Sequence, residues 1–232
     1  MVPLADKSVL LPSVVKVSED GTLTAGDPGH PDDDPTRIGR DFKRRVGDPT
    51  PLMIAGQPHS AVSLMAATLK SVIATLTAAE GEPPSEVVLT YPAVWGPYRR
   101  EHFIEVPRQA GVENITVLTE PEAAASHYAA RQQLANGDVV AVYDLGGGTF
   151  DTAVARKTKS GVEIIGVPEG VEWVGGIDFD EAVLAMWTGR SAAPTRVSTR
   201  NCRPRRSPCA GSARSASGPR SASPGRSRPT SR

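Results

Sequence analysis

Val139–Arg156, VVAVYDLGGGTFDTAVAR, decides how the rest of the chain is read. Two strand-like runs, Val139–Tyr143 and Thr152–Ala155, flank three consecutive glycines, Gly146, Gly147 and Gly148, with Asp144 before them and Asp151 after. A tight hairpin needs only one or two residues with positive φ. Three glycines leave a row of backbone N–H groups bare of side chains, and such a row forms a concave nest for an anion, typically phosphate. Thr149 adds a hydroxyl at the rim. The two acids would repel a bare phosphate but suit a hydrated magnesium ion that accompanies it, since magnesium favours one or two carboxylates plus water and phosphate oxygens. An ordinary glycine-rich turn is the competing interpretation; the flanking acids, the threonine and the clean strands favour the phosphate site.

Upstream, the chain alternates strand and helix patterns. Val9–Leu11, Val14–Ser18 and Leu23–Ala25 read as short strands, and Asp27–Pro35 as a loop. Asp34 followed by Pro35 signals a helix over Thr36–Arg45, whose five basic residues predict a solvated face. Leu52–Ile54 is a brief strand. Ser60 caps a long helix to about Glu80 whose Val62, Met65, Leu69, Val72 and Leu76 form a core stripe. Val87–Tyr91 reads as a strand buried on both faces. Pro97 starts a helix to about Ala110 that Pro107 should kink or shorten. Ile115–Leu118 is a strand and Glu120–Ala135 a helix with Pro121 in its first turn. After the glycine hairpin come a strand, Val162–Val167, the pair Gly175-Gly176, and a helix Phe179–Trp187 capped by Asp178. The class is α/β with mixed sheets, and strands starting over near Val139 predict a second subdomain.

The formal net charge of zero, from 26 basic and 26 acidic residues, conceals a split. Gly189–Arg232 holds eleven arginines and no lysine, aspartate or glutamate, which leaves 15 basic and 26 acidic residues in Met1–Thr188. Of those last 44 residues, 37 are Arg, Ser, Ala, Pro or Gly, so no packed core is expected there. Two interpretations stay open: a basic arm with salt-dependent affinity for nucleic acid, or a frame-shifted translation of GC-rich DNA. Cys202 and Cys209 lie in this tail at a spacing that fits neither a metal knuckle nor a disulfide framework. No apolar run is expected to reach the ~18 residues of a membrane span, and the proline-broken N-terminus makes a poor signal peptide. A cytoplasmic location without a membrane is the resulting expectation.

VVLTYPAVWGPYRREHF, VLTEPEAAASHYAA, VYDLGGGTFD and VGGIDFDEAV together resemble, in order and spacing, the nucleotide-binding domain of the heat shock protein 70 (DnaK-type) chaperones, from about Leu11 to Met186. The resemblance implies an actin-like ATPase (ribonuclease H-like) fold with ATP between two lobes: residues 1–137 as part of the first, 138–188 as the start of the second, and 189–232 as a disordered tail. It implies ATP/ADP and Mg2+ as ligands. Gly146, Gly147, Gly148 and Thr149 would touch the β- and γ-phosphates, Asp144 would act on magnesium through water, and Asp151 would orient the attacking water. Glu120 would serve the metal and water network, and Lys43 would be a cation near the γ-phosphate. Gly175 and Gly176 resemble a glycine pair near the nucleotide, and Pro92 and Arg100 a pair relaying nucleotide state to a peptide-binding domain. In the intact family the partners are unfolded peptides, a J-domain co-chaperone and a nucleotide exchange factor. Two departures stand against full activity: no DLGTT-type first phosphate hairpin precedes Val9, and no adenosine-contacting segments follow Met186. The first lobe is therefore expected to lack its opening strands and the second to be cut short, with ATP hydrolysis weak or absent. Another actin- or sugar-kinase-fold nucleotide-binding protein is the alternative within the fold class, and a non-enzymatic protein binding nucleic acid through the basic tail the alternative outside it.

Overall fold

A computed structural model describes residues 2–4, 8–27, 29–30, 32–132 and 134–189, all within one unit, Met1–Val197. The expected tail, apart from Gly189, lies outside the described residues. The elements are β1 (Val14–Val17), β2 (Leu23–Ala25), β3 (Ile38–Arg40), β4 (Leu52–Ile54), β5 (Gln57–His59), α1 (Ala61–Glu80), β6 (Val87–Tyr91), α2 (Pro97–Ala110), β7 (Ile115–Thr119), α3 (Glu120–Gln132), β8 (Val139–Leu145), β9 (Phe150–Lys157), β10 (Val162–Val171) and α4 (Gly176–Thr188). They make a mixed α/β arrangement of small sheets: β2-β1-β3 and β10-β9-β8 antiparallel, β4-β5 a hairpin, and β6-β7 a parallel pair.

The basic stretch departs from the expected helix over Thr36–Arg45. Asp34 does cap, accepting from the Thr36 amide, but only for a 3-10 turn, Pro35–Arg37. Ile38–Arg40 then joins the sheet opposite Val14–Lys16, and a second 3-10 turn, Phe42–Arg45, follows. Pairing with β1 overrides local propensity here. Gly39 makes this possible: a Cβ there would sit 2.5 Å from Ile54 Cδ1, so the strand lies close under β4. Val9–Leu11 forms no strand, and β5 went unforeseen because Pro58 argues against one.

α1 runs as expected, from Ser60, whose hydroxyl accepts from the Ser63 amide at 3.0 Å, to Gly81 in the left-handed region. Its buried residues, Ala61, Val62, Leu64 and Ala66, crowd its first turns. Ala61, Val62 and Leu64 pack with Val15, Val17, Phe42, Val46, Ile54, Trp95, Phe103 and Val106 into the main core. Met65 and Leu69 flank this core half-buried, so the expected stripe is only partly core. By length and composition α1 is apolar enough to cross a membrane, contrary to the expected absence of such a run; in this fold its first turns are core. α2 continues through the buried Pro107 to Ala110 and is not shortened. β6 alternates half-buried and exposed residues, so it is not buried on both faces.

Candidate functional site

The glycine turn sits between strands longer than expected. In the β8–β9 register, Leu145 faces Phe150 and Asp144 faces Asp151, so the two acids share one face of the sheet. The backbone of Gly146–Thr149 is tied back from behind. The Gly146 carbonyl accepts from the Gly176 amide at 3.0 Å, the Gly147 carbonyl from the Ile177 amide at 2.9 Å, and the Gly148 carbonyl from Arg44 Nε at 3.0 Å. The Gly146 amide closes the turn onto the Thr149 carbonyl at 2.9 Å. The amides of Gly147, Gly148 and Thr149 donate to nothing among the described residues. Held carbonyls and free amides are what an anion nest requires.

Gly175 explains how α4 gets so close. A Cβ there would lie 2.5 Å from the Gly148 nitrogen and 2.6 Å from the Gly147 carbonyl, backbone atoms that have no side-chain freedom to yield. Gly175 is also the N-cap of α4, correcting the expected start at Phe179 with Asp178 as cap. With Asp178 in the first turn, its carboxylate instead receives Arg44.

Glu120 is placed by a capping box. The Glu122 carboxylate accepts from the Thr119 amide at 2.8 Å, and the Thr119 hydroxyl accepts from the Glu122 amide at 3.3 Å. The box starts α3 directly at the end of β7, so Glu120 enters the cleft beyond the ends of the parallel strands, beside Thr90 of β6. Lys43 reaches it from the Phe42–Arg45 turn, with Nζ 2.6 Å from Oε1. Asp41, just before that turn, holds φ 55°, a left-handed conformation uncommon outside glycine.

A cleft of about 410 Å³ gathers Lys43, Glu120, Asp144 and Gly146 through Thr149 with Asp41, Arg44 and Ile177. Seven expected site residues thus line one cavity. Asp151 lies behind it, 2 % exposed, and both its carboxylate oxygens are buried without a hydrogen-bond partner among the described residues. Burial pushes its carboxyl above the usual carboxylate range; the charges of Glu120 and Asp144 add to this, while Thr149 and Lys43 offset it. Arg44 and Asp178, by contrast, form a bidentate pair that holds the Asp178 carboxyl below the usual range.

A solvated basic face therefore does not describe Arg44, whose side chain is 9 % exposed. Sequence reasoning missed it because its acidic partner lies 134 residues away. Pro92 is fully buried after β6, whereas Arg100 is exposed on α2 beside a groove with Tyr91, Phe103 and Val117. No hydrogen bond joins this pair among the described residues. No group of three His, Cys, Asp or Glu side chains among them could hold a metal unaided. The orphaned Asp151 carboxylate, with Asp144 opposite it, fits a hydrated cation held through water.

The profile of the family described as Hsp70 protein matches residues 43–202, running past the described part and beyond the expected limit at Met186. The chain is 30 % identical over 190 residues to a chaperone protein DnaK of Elusimicrobium minutum, a match covering 79 % of this chain and 30 % of the relative. It is also 30 % identical over 186 residues to those of Thermotoga petrophila and Thermotoga maritima, covering 79 % of this chain and 31 % of each. The chain thus spans about a third of the length of the curated relatives it matches.

Proposed function

The chain belongs to the Hsp70 family, and we propose that its cleft binds ATP or ADP with Mg2+ and supports hydrolysis of the terminal phosphate. The observation that carries this is the Gly146–Thr149 turn, its carbonyls tied back and three amides free, opposite Lys43 and Glu120.

The free amides of Gly147, Gly148 and Thr149 bind phosphate oxygens. The carboxylates of Asp41, Glu120 and Asp144 line the cleft, with Asp151 buried on the same hairpin face as Asp144, against one ammonium, Lys43, so the triphosphate needs a cation with it. Asp144 would hold that magnesium through water, with Glu120 and Asp151 on the same water network; when bound, the ion neutralises phosphate charge. Lys43, now on Glu120, is placed to exchange part of that bridge for a γ-phosphate oxygen. Asp151, buried on the same hairpin face as Asp144, would orient the attacking water through that network. Positioning and charge neutralisation supply most of the catalysis in phosphoryl transfer.

The wider proposal is family inheritance. Residues 1–137 and 138–188 would belong to the two lobes of the actin-like ATPase fold, and Pro92 and Arg100 would relay nucleotide state. Unfolded peptides, a J-domain co-chaperone and an exchange factor would act with the intact protein, in the cytoplasm. Phosphate release from Mg–ATP by the whole chain, beside Lys43→Met, tests the activity. Slow release that Lys43→Met abolishes supports hydrolysis at this cleft; equal release from both refutes it.

A further inference from the structure

We infer that Arg44 is a positioning residue that completes the glycine turn, an inference that rests on the nucleotide reading of the same cleft. Of the three carbonyls tied back in the turn, those of Gly146 and Gly147 are held by main-chain amides of α4. The third, Gly148, is held by a side chain, through Arg44 Nε at 3.0 Å. Losing this one bond would free the Gly148 peptide to rotate and present its carbonyl, a repulsive group, where a phosphate oxygen is to sit.

The surroundings spend the guanidinium entirely on this task. Its Nη1 and Nη2 lie 3.2 and 2.6 Å from the two Asp178 oxygens, and its carbon stands 5.2 Å from the Trp173 ring centroid. The bidentate fork and the stack on an aromatic face both need a planar cation, which lysine does not provide. Gly148 leaves room for the approach: a Cβ there would meet Arg44 Nε at 3.0 Å. Asp178 neutralises the charge, so Arg44 orients peptide groups and leaves the phosphate to Lys43, its chain neighbour. One 3-10 turn thereby sends successive residues to two supports: Lys43 to the start of α3, and Arg44 to the glycine turn and the first turn of α4.

The test uses the whole chain and Arg44→Gln, Arg44→Lys and Asp178→Asn. The first readout is NMR-detected hydrogen exchange at the Gly146, Gly176 and Ile177 amides, which the turn protects, with α1 amides as the control for folding. Loss of a charge-assisted hydrogen bond predicts roughly tenfold faster exchange at those three amides in both Arg44 variants, with α1 unchanged. The second readout is the ratio of Mg–ATP to AMP affinity, which should fall about tenfold with no rescue by lysine. A general loss of structure would weaken both nucleotides alike. Wild-type exchange rates in the Arg44 variants, or an unchanged affinity ratio, overturn the inference. If Arg44→Gln also accelerates α1, Asp178→Asn decides, since it keeps Arg44 and releases its anchor: faster exchange at the three amides supports the role and unchanged exchange refutes it. A wild-type chain that binds no Mg–ATP removes the nucleotide reading, and the exchange comparison then decides Arg44 alone.

Discussion

Asp151→Asn should stabilise the fold while reducing its activity. Asp151 is 2 % exposed, and both its oxygens lack a partner among the described residues. Its carboxyl is raised above the ordinary value of 3.8, first by burial and then by the Glu120 and Asp144 charges. The folded state therefore binds this proton more tightly than the unfolded chain does. Stability falls as pH climbs from about 4 through the elevated folded-state value, and stays low above it. Asparagine keeps the shape and removes the charge. At pH 7 the variant should gain on the order of 1 kcal/mol or more, the excess cost of burying an unpaired charge over an unpaired neutral amide. For a chain of this size that raises Tm by about 2–4 °C per kcal/mol. Lowering the pH toward 4 shifts Asp151 toward its protonated form, and the gap between the two melting curves should narrow. Thermal unfolding followed by circular dichroism at pH 7 and pH 4, without nucleotide or magnesium, measures both. Phosphate release should fall together with the gain in stability, the trade expected when a strained polar group serves a reaction. A variant less stable than wild type at pH 7, or a gap that does not change with pH, refutes the reasoning.

Gly175→Ala should cost about 1–3 kcal/mol and weaken Mg–ATP binding, because its Cβ would meet backbone at 2.5 Å; Gly147→Ala, whose Cβ meets nothing within 4 Å, should melt like wild type yet crowd the nest. Melts and calorimetry on the two variants check this. Glu120→Gln should shift stability by less than about 1 kcal/mol, since the Lys43 side chain in its bridge is 42 % exposed. Its phosphate release should nonetheless fall by an order of magnitude or more, and wild-type turnover would exclude Glu120 from the site.

Much of the site was legible because its chemistry is local. Asp144, three glycines, Thr149 and Asp151 fit one hairpin, and a hairpin forces its two acids onto one face. Recognising Lys43 and Glu120 needed the family resemblance, as they lie 77 residues apart and meet only through the fold. Arg44 stayed hidden for the same reason, and its two basic neighbours in FKRRV, Lys43 and Arg45, made a solvated face the simpler expectation. The long helix α1 and the three-strand meander followed from periodicity, which depends on nearest neighbours alone. The strand Ile38–Arg40 did not: its pairing with β1 is a tertiary fact, and a glycine between isoleucine and arginine carries little strand signal. Asp178 was misread as a cap because Gly175, three residues earlier, begins α4 with no side-chain cap at all.

Calorimetric titration of the whole chain with Mg–ATP, beside Asp144→Ala, tests the central claim most directly. The account predicts saturable binding by wild type that Asp144→Ala weakens at least tenfold, because the cation accompanying the phosphates then loses its carboxylate. Equal affinity in both proteins, or no binding by a wild-type chain whose melt shows it folded, would contradict a phosphate site built on this turn.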